Sequence, residues 1–92
     1  MTSPLFELGR VMSTPGALAA FEKSGEVPDT FLDRHVAGDW GALGEHDKHA
    51  NAAALTDGDR LLSKYHLRDG TAFYIITEHD RSLTTILLPE EY

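Results

Sequence analysis

The spacing of apolar positions in this chain changes from a helical to a strand-like period near its two-thirds point. Residues 60–67, 72–77 and 83–89 form three short runs rich in aromatic and β-branched side chains. Two polar connections separate them: Arg68-Asp69-Gly70-Thr71, then Glu78-His79-Asp80-Arg81-Ser82. This pattern predicts an antiparallel meander, with a tight hairpin at Asp69-Gly70 because glycine takes positive φ without steric cost. Upstream the period lengthens. Thr14-Pro15-Gly16 reads as a helix start, threonine capping and proline filling the first helical position, where its missing donor would be unpaired anyway. That helix is expected over 15–24, with Ala17, Leu18 and Phe21 on one face and Gly25 as its stop. A second helix begins at Asp29 as cap, carries the stripe Phe31, Leu32 and Val36, and ends at Gly38. A third covers about 45–55 and is rich in alanine. Residues 5–12 form a strand candidate weakened by Gly9 in its interior. The expected order is β-α-α-α-β-β-β: one α+β domain over 1–92, its antiparallel sheet made of a C-terminal three-stranded meander and an extra N-terminal strand, with about three helices on one face.

Composition narrows the setting. Cysteine is absent, which removes disulfides and thiolate metal sites. No basic region followed by an apolar run opens the chain, and no apolar run reaches the ~18 residues of a membrane span. The expectation is a cytoplasmic protein with no membrane partner. The formal charge is −7 and is unevenly spread, with nine acids against three bases between Glu22 and Asp59. From Arg60 to Arg81 the balance is nearly even. An acidic helical half repels phosphate, so direct DNA binding is not expected there; a basic protein or nucleoprotein complex is the complementary partner. Asp29, Asp33, Asp39, Glu45 and Asp47 are the candidate partner-binding carboxylates. Trp40 lies between two turns and reads two ways: closing the core with its indole donor on a carbonyl, or, if exposed, joining that interface.

Two constellations offer other chemistry. His46 and His49 stand three apart on the third helix, hence on one face, and would suit a divalent metal only with a third ligand that no fixed spacing supplies. No cofactor is expected. His66, Arg68, Arg81, Thr84 and Thr85 all belong to the meander or its turns. If they met on one sheet face they would offer an acid/base, phosphate-binding cations and orienting hydroxyls, the requirements of a metal-independent ribonuclease. In layout and residue kinds, helices before an antiparallel sheet, this resembles small barnase-like and toxin-type ribonucleases; no catalytic residue carries over one by one.

A wider resemblance rests on Thr14-Pro15-Gly16-Ala17-Leu18, Arg34-His35-Val36-Ala37-Gly38-Asp39-Trp40-Gly41, Ser63-Lys64-Tyr65-His66, Ile75-Ile76-Thr77-Glu78 with Asp80-Arg81-Ser82, and the final Thr84-Thr85-Ile86-Leu87-Leu88-Pro89-Glu90-Glu91-Tyr92. Together these resemble a family of small bacterial plasmid-related proteins. The resemblance implies a mobile genetic element and a bacterial cytoplasm, and transfers no activity. The functional expectation is a small acidic protein-binding module, an anti-defence inhibitor of anti-CRISPR or antirestriction type that occupies a basic nucleic-acid-binding surface. The alternatives are the ribonuclease and a self-associating structural module, a homodimer formed through an edge strand at residues 83–88.

Overall fold

The computed structural model describes residues 3–92. Its elements are β1 (Arg10–Ser13), α1 (Pro15–Ser24), α2 (Asp29–Val36), α3 (Glu45–Asp57), β2 (Leu61–His66), β3 (Ala72–Thr77) and β4 (Leu83–Leu87), closed by a 3-10 turn at Pro89–Glu91. The expected order is present, but the sheet is mixed. Its spatial order is β1-β4-β3-β2, with β2-β3-β4 an antiparallel meander and β1 parallel to β4. With three helices and two strands between them in the chain, β1 and β4 are free to pair in either direction. Here Arg10 pairs with Leu83 and Ser13 with Ile86, so β1 runs alongside β4. This makes β4 an interior strand, and the expected self-association through residues 83–88 is corrected: both of its edges are already hydrogen-bonded.

Strand β1 is also shorter than the candidate at 5–12. Gly9 holds φ +66, and a Cβ there would overlap the Ser82 backbone, so the chain kinks at Gly9 and pairs only beyond it. The first helix starts as read: the Thr14 hydroxyl accepts from the Ala17 N–H at 3.2 Å, and Gly25 ends it at φ 75. Asp29 is the first residue of α2 rather than its cap, a place where its charge suits the helix dipole.

Inward-facing residues of the sheet alternate along each strand: Leu61, Ser63 and Tyr65, then Phe73, Ile75 and Thr77, then Thr84 and Ile86. Against them Phe21 and Phe31 form an aromatic cluster with Phe73 and Tyr65, ring centroids 4.9–5.9 Å apart. A smaller cluster joins Trp40, Ala54 and Leu61, with Phe6, Leu43 and Leu55 at its margin.

The outer edge of β2 is sealed by two devices. The Asn51 side chain donates to the Leu62 carbonyl at 2.6 Å and accepts from the Leu62 N–H at 3.1 Å, imitating a neighbouring strand. Beyond it, Lys64 donates its N–H to the Trp40 carbonyl and accepts from the Ala42 N–H. Gly41 sits against Lys64 at φ +74, where a Cβ would overlap the Lys64 carbonyl. Asn51→Ala leaves both Leu62 backbone groups without their partner and is expected to lower stability by about 1–3 kcal/mol. Urea unfolding of the variant beside wild type measures this; a loss within error would show that water replaces the amide.

Candidate functional site

The most polar interior feature is a row of hydroxyls around one imidazole. His35 projects from the buried side of α2 with Phe31, one turn earlier, and is fully buried. Its Nδ1 lies 2.5 Å from Ser63 Oγ and its Nε2 2.9 Å from Thr77 Oγ1. Thr77 Oγ1 is 2.8 Å from Thr84 Oγ1, and Thr84 donates to the Leu8 carbonyl at 2.7 Å. That carbonyl only accepts, and each hydroxyl has a single proton, so one direction follows for the whole row. Thr84 donates to Leu8, Thr77 to Thr84, His35 Nε2–H to Thr77, and Ser63 to His35 Nδ1. His35 is therefore the neutral Nε2–H tautomer. Burial, with the Arg81 charge second, pushes it down to about 4. A serine beside a histidine suggests an activated nucleophile, yet Ser63 and His35 are both wholly inaccessible and substrate cannot reach them. The row is a fully satisfied core network.

The residues proposed for ribonuclease chemistry do not converge. Thr84 points into the core and belongs to the row just described, while Thr85 takes the opposite face of the same strand. His66 is exposed at the end of β2, on the face away from the helices. Arg68 is drawn to Glu26, its Nε 3.6 Å from the carboxylate that also accepts the Arg68 N–H. Arg81 donates to the carbonyls of Ala54, Asp59 and Glu78, binding the C-terminal end of α3 to the β3–β4 turn. Three of its five N–H donors are taken up in this way. The five residues are therefore not brought together on one sheet face. His46 and His49 lie on α3, and no cluster of three or more metal-ligating side chains occurs among the described residues.

Trp40 is also corrected as an interface residue. It is only 8% exposed, packed beside Phe6 and edge-on to His35, with ring centroids 6.2 and 5.7 Å away. Of the five carboxylates, Asp39 is occupied. It pairs with Arg34 at 2.7 Å and accepts from the Gly41 N–H, and the Arg34 hydrogen bond holds its carboxyl below the usual carboxylate range. Glu45 faces Lys48 at 4.0 Å. Asp29 and Asp33 stand one turn apart on α2, and Asp47 lies in the first turn of α3. Among the described residues none of these three makes an ion pair.

Asp33 opens onto a surface cleft of about 700 Å³ between the segment 4–9 and α2. The segment is held by the Leu5 N–H donating to the Val36 carbonyl at 2.8 Å and by Leu8 at the end of the hydroxyl row. Leu5, Phe6, Leu8 and Val36 give the cleft apolar walls; Glu7 and Asp33 add two carboxylates. Glu7 lies far from the acidic stretch between Glu22 and Asp59, so no run of charge in the sequence marks it as part of this surface. No helix among the described residues is long and apolar enough to cross a membrane. Comparison of the chain with protein-family models, curated proteins and solved structures finds no match.

Proposed function

We propose that this is a protein-binding module whose acidic helical side engages a basic surface of a nucleoprotein complex, with the 4–9/α2 cleft as the anchoring point. The observation carrying this reading is the pairing of apolar walls with the carboxylates of Glu7 and Asp33 in one open cleft. A lysine or arginine stem would pack along Leu5 and Val36 while its cationic head meets those carboxylates. The chain's net charge of −7 speeds encounter with a basic partner and repels bare nucleic acid. The finer reading, an anti-defence inhibitor of a mobile element acting in the bacterial cytoplasm, rests on the sequence resemblance and on this acidity together.

The test is a pulldown from nuclease-treated bacterial lysate read by mass spectrometry, followed by association kinetics with the recovered partner. Glu7→Lys with Asp33→Lys is expected to slow association about tenfold or more and to flatten its salt dependence. A partner bound equally fast by the double variant would overturn the assignment of the cleft. Recovery of nucleic acid alone would overturn the protein-binding reading.

A further inference from the structure

The two edges of the sheet are treated differently. The outer edge of β2 is covered by Asn51 and by residues 40–42, whereas β1 forms the opposite edge with nothing beside it among the described residues. Arg10 donates its N–H to Ser82 and Thr14 to Ile86, so Arg10, Met12 and Thr14 turn their main-chain groups toward β4. The N–H and C=O of Val11 and Ser13 consequently point outward. The side chains at this edge are apolar and open: Val11 is 41% exposed and Met12 48%.

We propose that β1 pairs antiparallel with β1 of a second copy, joining two four-stranded sheets into one of eight strands across a two-fold axis at Met12. This proposal is independent of the partner-binding reading. The register follows from the outward groups. Val11 meets Ser13 of the second copy, exchanging two hydrogen bonds, and the symmetric pair exchanges two more. Met12 then faces its own equivalent as a non-hydrogen-bonded pair, the closer of the two antiparallel spacings. Arg10 falls opposite Thr14 of the second copy on the face away from the helices. The Thr14 hydroxyl donates to Glu91 Oε1 at 2.5 Å, so an exposed carboxylate waits beside that position. The arrangement brings Arg10 of each copy to Glu91 of the other. No like charges meet along the shared edge, and the pairing is self-complementary, as a two-fold interface requires.

The chain has no cysteine, so single cysteines report the register directly. Met12→Cys is expected to give a covalent dimer under mild oxidation, because paired Cα atoms at this spacing lie within disulfide reach. Val11→Cys sits two positions out of register with its own equivalent, about 8 Å away, and is expected to cross-link at least tenfold more slowly. Sedimentation of the wild-type chain from about 1 μM to about 1 mM should show a monomer–dimer equilibrium. Met12→Lys, which sets two ammonium groups face to face at an exposed position, should shift it at least tenfold toward monomer while leaving the circular dichroism spectrum unchanged. A monomer throughout that range, a dimer indifferent to Met12→Lys, or equal cross-linking at positions 11 and 12 would each overturn the proposal.

Discussion

Alanine in place of Trp40 is expected to cost about 3–5 kcal/mol of folding free energy. The indole fills the space between Phe6, His35, Leu61 and Ala54, so truncation loses its transfer from water and leaves a void bounded by an aromatic ring and an imidazole. The damage extends beyond the void. The Trp40 carbonyl accepts from Lys64, and the neighbouring Asp39 carbonyl accepts from the Tyr65 hydroxyl at 2.6 Å, so a loosened loop also unseals the β2 edge. A domain of this size has ~5–15 kcal/mol in all, so the loss is a large share of its stability. Denaturant titration followed by circular dichroism measures the loss. A change below about 1 kcal/mol would show that the loop does not depend on the ring it encloses.

Mild acid is expected to weaken the fold well before ordinary carboxylates protonate. His35 is neutral inside the protein, with its value pushed down to about 4, against 6.5 when exposed. Between these values the unfolded chain binds a proton that the folded chain refuses, so stability rises with pH. The contribution is fully present above about pH 6.5 and is lost on acidification toward pH 4, amounting to about 3 kcal/mol over that window. Protonation at Nδ1 also removes the acceptor for Ser63, while the Nε2–H bond to Thr77 and the rest of the row keep their direction. The carboxyls of Asp39 and Glu91 are held down, the first by Arg34 and the second by the Thr14 hydroxyl. Their contribution is lost at more acidic pH, as the medium falls through their depressed values, which separates the two effects. Urea unfolding from pH 7.5 to pH 4 should trace this slope. His35→Ala should be less stable at pH 7.5 by about 2–4 kcal/mol and lose most of the slope. A wild-type stability that stays flat between pH 7 and pH 5 would refute the account.

Much of this architecture could be read from residue order alone. The Asp69-Gly70 hairpin, the Thr14-Pro15 helix start, the Gly25 stop and the α3 run at Glu45 are local signals, and local chemistry decided them. The direction of β1 was not legible, because it depends on where three helices deliver the chain. The hydroxyl row was legible in principle. Ser63 lies between Leu61 and Tyr65, Thr77 follows Ile75 by two, and Thr84 precedes Ile86 by two, so strand alternation puts all three on the core face. His35 follows Phe31 by four and joins them. Buried hydroxyls need a buried partner, and a histidine on the core side of the facing helix supplies it. The cleft was out of reach because Glu7 and Asp33 come together only through the Leu5–Val36 hydrogen bond, which no spacing announces.

The parallel alignment of β1 with β4 has a mechanical consequence. Tension entering through the chain ahead of β1 and leaving through the chain beyond β4 pulls the two strands along their length in opposite senses. The hydrogen bonds between Arg10–Ser13 and Leu83–Leu87 are then loaded together rather than opened one at a time, as they would be at the free end of a hairpin. The bond from Thr14 to Glu91 and that from Thr84 to Leu8 lie at either side of the same seam, spanning 77 and 76 residues of sequence. The fold is thereby built to resist tension applied ahead of β1 and beyond β4.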